Sequence, residues 1–162
     1  MISLRKKKTP PPVKVVVIDD SVVVEKMMRH ILKTYMEDKF AGHIQFNLIF
    51  FNSFSAFIKG NGSTYDVAFV DWNLGGNINE MGDKVAEILK DECDVITILT
   101  GGIGDPSITD YSRRSGVPVI YKNTSGIFDN SGTYTSNQMV AGIYDHLDHA
   151  IRKWKKKYGI SV

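Results

Sequence analysis

Cysteine is nearly missing from this 162-residue chain. Cys93 is the only one. That excludes an internal disulfide, fits a reducing compartment and leaves Cys93 as a helix-end or loop residue without a chemical role. Proline is also scarce: three of the five stand together at Pro10-Pro11-Pro12, just after Arg5-Lys6-Lys7-Lys8. No apolar segment separates the two runs, so the N-terminus does not read as a secretory signal. No apolar stretch approaches the length of a membrane span. What remains is an ordinary globular composition, 43% apolar and 23% charged, and a length that suits one domain with a sizeable core.

Charge of one sign is concentrated at the ends. Arg5, Lys6, Lys7, Lys8, Arg152, Lys153, Lys155, Lys156 and Lys157 are nine of the 20 basic residues, leaving 11 basic against 18 acidic residues elsewhere. An acidic body therefore carries two basic termini. Such ends can meet nucleic acid or an anionic membrane, although solubilising charge, and cations opposing a helix macrodipole, are the preferred reading.

Four short apolar runs carry the main signal. Val15-Val16-Val17-Ile18 leads into Asp19-Asp20, and Val67-Ala68-Phe69-Val70 into Asp71. Val95-Ile96-Thr97-Ile98-Leu99 leads into Thr100, and Val117-Pro118-Val119-Ile120-Tyr121 into Lys122. Runs of this kind read as strands buried on both faces of a parallel sheet. Ligands of such sheets bind beyond the carboxyl ends of the strands.

Residues 1–12 read as a disordered basic arm. Strands are expected at 14–18, 44–51, 66–71, 94–100 and 117–121. Helices are expected from Val22 behind a Ser21 cap, from Asn52 or Ser53 to about Gly60, over 81–90 with Val85, Ile88 and Leu89 inward, over 106–115, and over 134–158. The first helix should bury Met27, Met28, Ile31, Leu32 and Tyr35; the last should bury Met139, Val140, Ile143, Tyr144, Leu147, Ile151, Trp154 and Tyr158. Five β-α alternations predict an α/β fold with a doubly wound five-stranded parallel sheet.

Adjacent aspartates after one strand and a third after another make a hard oxygen cluster, suited to Mg²⁺. A dication relieves the repulsion between carboxylates. Aspartate can form an acyl phosphate, while Lys122 can neutralise a phosphoryl oxygen and Thr100 can donate a hydrogen bond to another. Residues 159–162 form a short tail.

Over residues 13–158 the pattern resembles the receiver domain of two-component response regulators, of the stand-alone, chemotaxis-regulator-like kind. Val16-Val17-Ile18-Asp19-Asp20-Ser21 resembles its acidic metal-holding pair, and Asp71-Trp72-Asn73-Leu74 its phosphoacceptor strand end. Spacings of 29 residues from Asp71 to Thr100 and 22 from Thr100 to Lys122 are also typical. The resemblance implies a flavodoxin-like receiver fold in which Asp71 is phosphorylated. Asp19, Asp20, Asp71 and the Asn73 backbone carbonyl would hold Mg²⁺ (or Mn²⁺), Thr100 would move to meet the phosphoryl group, and Lys122 would pair with it. It implies a cytoplasmic protein that catalyses only its own aspartyl phosphorylation and dephosphorylation. The donor would be a histidine kinase or phosphotransfer protein. The output would be an unidentified protein partner, a homodimer contact or onward transfer.

Several positions depart from that pattern. The 51 residues from Asp20 to Asp71 are more than usual. Gly75 replaces a customary proline, and Gly75 to Gly82 suggests an insertion of about three residues against the family pattern. Asn123 replaces the proline after Lys122, and Val119 stands where the switch aromatic usually does. Tyr121 is aromatic but is expected on the opposite strand face. The glycine-containing loops after Thr100, at 75–81 and at 123–132, become the candidate switching elements. Two alternatives compete: a receiver-fold interaction scaffold with weak or no phosphorylation, and a hydrolase with Asp71 as nucleophile. The hydrolase reading is disfavoured because position 73 is Asn where a second aspartate is needed.

Overall fold

The computed structural model describes residues 9–75, 81–122 and 138–160. Expectations for the start of the arm, the middle of the loop after Gly75, the segment 123–137 and the last two residues fall outside the described residues. The chain alternates β1 (Val13–Ile18), α1 (Val22–Phe40), β2 (Phe46–Phe51), α2 (Phe54–Gly60), β3 (Val67–Val70), α3 (Gly82–Leu89), β4 (Ile96–Thr100), α4 (Pro106–Ser115), β5 (Val119–Tyr121) and α5 (Gln138–Tyr158). The strands form one all-parallel sheet in the order β2-β1-β3-β4-β5. This is the expected doubly wound α/β fold.

Strand alternation divides the core into two layers. Val15, Val17, Phe69 and Leu99 face α1 and α5, where they meet Met27, Met28, Ile31, Tyr35, Ile143, Leu147 and Trp154. Val16, Ile18, Ala68, Val70 and Ile98 face the other side, against Phe57, Val85, Leu89 and Ile108. With helices on both faces, β1 and β3 have no solvent side, which is why their sequences run apolar without a polar alternation. The edges differ in kind. β5 has three residues, whereas β2 has six, mostly half-buried, and among the described residues one side of its backbone has no strand partner.

Local chemistry sets the ends of α2 and α4. Ser53 accepts a hydrogen bond from the Ala56 N–H at 3.0 Å and caps α2. Asp105 caps α4 at the Ser107 N–H, with Pro106 in the first turn and Gly116 in the left-handed region behind it. Ser21 stands at the N-cap of α1, but its side chain makes no cap hydrogen bond; Asp19 accepts from the Ser21 N–H instead, at 2.9 Å. Two inward assignments are corrected. Ile88 is 37% exposed and Tyr158 42%, because each sits at the margin of its helix's apolar stripe, where the sheet no longer covers it. Among the described residues, no helix is long and apolar enough to cross a membrane.

Candidate functional site

The strand order reverses between β1 and β3, since β2 lies beyond one and β4 beyond the other. A crevice opens outside the carboxyl ends of strands at such a point. Asp19 follows β1, Asp71 follows β3, Thr100 closes β4 and Lys122 follows β5. The sheet's own ladder fixes their main chains: Asp71 N–H donates to Ile18 O at 2.8 Å, Asp19 N–H to Phe51 O at 3.0 Å, and Lys122 N–H to Thr100 O at 2.7 Å.

The side chains converge accordingly. One carboxylate oxygen from each of Asp19, Asp20 and Asp71 lies within 4.8 Å of the other two. Asp19 and Asp71 are buried, while Asp20 is exposed. The Lys122 ammonium reaches between the buried pair, 2.7 Å from Asp19 Oδ2 and 3.1 Å from Asp71 Oδ2. Burial pushes the Asp71 carboxyl up to about 6; Lys122 opposes the rise, the neighbouring Asp19 charge adds to it, and the Trp72 backbone N–H opposes it again. Thr100 is buried at the end of β4, and its Oγ1 accepts from the Gly102 N–H at 3.2 Å. Asn73 lies two residues beyond Asp71 and pairs with Met81 in an antiparallel bridge.

The donor set suits a small hard cation. All three side chains offer carboxylate oxygen. Asp19 Oδ2 is buried and meets the Lys122 ammonium at 2.7 Å. A buried carboxylate oxygen beside two further carboxylates fits Mg²⁺ or Mn²⁺, whose charge offsets their repulsion.

Two features were not legible beforehand, and one expectation is corrected. The N-terminus of α3 rests on the site's backbone: a Cβ on Gly82 would run into the Asp71 carbonyl, and Gly82 N–H donates to Trp72 O at 2.9 Å. Trp72 is buried, with its ring centre 5.5 Å from that of Tyr111 on α4. Tyr121 does not oppose Val119. Residues two apart on a strand share a face, and Val119 joins the layer of α3 and α4 while Ile120 joins the other. Tyr121 therefore follows Val119, 37% exposed at the end of β5.

The sequence matches no protein-family model and no curated protein. The fold does find relatives among solved structures. A response regulator receiver domain protein from Clostridium thermocellum superposes with a TM-score of 0.60 at 16% identity, covering 88% of this chain and 97% of that one. The BeF3-activated DrrB receiver domain gives 0.59 at 14% identity over 88% and 99%. A response regulator from Thermotoga maritima gives 0.56 at 18% identity over 88% and 99%. The sheet order and these likenesses define the fold, which is that of response regulator receiver domains. This chain has that flavodoxin-like fold, on a sequence less than one-fifth identical to these three relatives.

Proposed function

We propose that this chain is a phosphoacceptor receiver that takes a phosphoryl group onto Asp71. The observation that carries the reading is the meeting of three carboxylates within 4.8 Å, with one ammonium between two of them, at the switch point of the sheet. The Asp71 carboxylate oxygen forms a bond to phosphorus as the bond from phosphorus to the donor's imidazole nitrogen breaks, and the imidazole leaves with the electron pair and takes up a proton. Asp19, Asp20, Asp71 and the Asn73 carbonyl would hold Mg²⁺, which when bound offsets charge on the phosphoryl oxygens. Lys122, already close to Asp71, would pair with one oxygen of the acyl phosphate, and the Thr100 hydroxyl would donate to another after leaving its contact with Gly102.

A histidine kinase or phosphotransfer protein in the cytoplasm is the fitting donor, and a protein partner the fitting recipient of the signal. The test is intact-mass analysis after acetyl phosphate treatment with and without Mg²⁺. One phosphoryl adduct, mapped to Asp71 and dependent on Mg²⁺, is expected, with none on Asp71→Asn. Full labelling of Asp71→Asn would overturn the assignment, and no labelling of the native chain would leave the scaffold reading in its place.

A further inference from the structure

The first and last described segments meet at one end of the molecule. Pro10 and Ile160 line one cavity together with Phe40, Ile44, Trp154 and Lys155. That end lies at the amino ends of the strands, opposite the acidic crevice. Lys153 Nζ donates to Asp94 O, just before β4, at 2.8 Å, and Lys157 Nζ lies 3.9 Å from Asp66 Oδ1, just before β3. Gly159 ends α5 at φ +64°, and the Ile160 N–H returns to Lys155 O at 2.9 Å. Pro10-Pro11-Pro12, all exposed, lead into Val13 with a narrow choice of backbone angle.

Basic sequence adjoins each of these segments. Arg152, Lys153, Lys155, Lys156 and Lys157 belong to the last turns of α5, and Arg5-Lys6-Lys7-Lys8 stands immediately before Thr9. Nine cations are thus tethered to one end of the fold. The acidic residues that line this end or touch these lysines are Glu37, Asp38, Asp66 and Asp94, fewer than the cations. Solubilising charge needs no common location, whereas cations gathered at one end make a local positive potential.

Apolar groups stand beside the charges. Tyr158 is 42% exposed, and Lys157 Nζ lies 5.7 Å from its ring centre; Ile160 is half-buried. In the sequence, Met1, Ile2 and Leu4 precede Arg5. Cations mixed with aromatic and apolar side chains suit the boundary of a lipid bilayer, where phosphate headgroups meet hydrocarbon. A nucleic-acid site would set hydrogen-bonding side chains among the cations, and residues 152–160 contain no serine, threonine, asparagine or glutamine.

We infer that this end of the molecule binds an anionic lipid surface. The two basic segments supply the attraction, and Tyr158 enters the headgroup layer. Asp71 follows β3 at the opposite end of the sheet, so it faces away from the lipid on a bound molecule. Binding of this kind does not depend on phosphorylation.

The experiment is co-sedimentation of the full chain with vesicles of phosphatidylcholine alone, and of phosphatidylcholine with about one-third phosphatidylserine. The variants are Arg5→Gln/Lys6→Gln/Lys7→Gln/Lys8→Gln and Lys155→Gln/Lys156→Gln/Lys157→Gln. The control, Lys26→Gln/Arg29→Gln/Lys33→Gln, removes three exposed cations from α1. The native chain is expected to bind only the vesicles with phosphatidylserine, and to leave them at high salt. A cation near an anionic surface is worth about fivefold in partitioning, so each terminal variant should lose about a hundredfold and the α1 variant less than about threefold. Thermal melts check each fold; the substitutions at 5–8 precede the described fold, so they decide the matter if the α5 variant melts early. No binding to the phosphatidylserine vesicles, equal binding to phosphatidylcholine alone, or an equal loss in the α1 variant overturns the inference. Tighter binding to a mixed-sequence DNA duplex than to the anionic vesicles assigns the cations to nucleic acid and overturns it as well.

Discussion

The indole of Trp72 lies tilted against the phenol of Tyr111, ring centres 5.5 Å apart and planes at 52°. Trp72 is the residue after Asp71, and Tyr111 belongs to α4, so this contact joins the acidic crevice to a helix three elements further along the chain. Tyr111 also donates to Glu87 of α3 at 3.4 Å.

Replacing Tyr111 by Leu removes an aromatic pair worth about 0.5–1.5 kcal/mol beyond its buried area. Urea unfolding is expected to show a loss of that order. In a Trp154→Phe background, where Trp72 is the only tryptophan, its emission should shift to the red as water reaches the ring. An unshifted spectrum would mean that Tyr111 does not shield it.

Lys122 serves two carboxylates, one of them only 1% exposed. Lys122→Met leaves that buried charge uncompensated, which costs about 3 kcal/mol. Metal-free unfolding should show this loss, and saturating Mg²⁺ should recover part of it by mass action on the folded state. Equal stability of the variant and the native chain without metal would show that the pair contributes nothing.

Gly82→Ala places a methyl against the Asp71 carbonyl and the Trp72 Cα. Since both are backbone, α3 has to move, at about 1–3 kcal/mol. Acetyl phosphate labelling should slow together with the drop in melting temperature. This variant is expected to lose stability and labelling jointly.

Burial pushes the Cys93 thiol up to about 12, and the thiol donates to the Val95 carbonyl at 3.2 Å. A raised thiol pKa means less thiolate at any given pH, and thiolate is the reactive form. Iodoacetamide at pH 8 should therefore modify the folded chain far more slowly than the urea-unfolded chain. Equal rates would show that the thiol is open to solvent.

The sheet was legible because its strands are buried on both faces, a condition that writes continuous apolar runs and leaves the chemistry to the next residue. Hence Asp19, Asp71, Thr100 and Lys122 were placed at strand ends from position alone, and the structure brings Asp19, Asp71 and Lys122 into contact. Periodicity also placed α4 over Pro106–Ser115, where Asp105, Pro106 and Gly116 mark both ends. It failed at the margins of the apolar stripes, as at Ile88 and Tyr158, since spacing does not say how far a neighbouring layer extends. The expectation for Tyr121 miscounted the strand period. The close packing at Gly82 was hidden because a glycine's close contact is with groups elsewhere in the sequence, here Asp71.

The edge strand β2 has a consequence for handling the protein. Phe46-Asn47-Leu48-Ile49-Phe50-Phe51 contains no charge, no proline and no glycine, and it stands on the open side of the sheet. A six-residue segment of that character is a template for adding another strand. Folded, it is kept partly covered by contacts with α1 and α2. Any variant that loosens those helices uncovers it, so loss of stability in this chain should be followed by self-association through β2, and unfolding would then become irreversible and concentration-dependent.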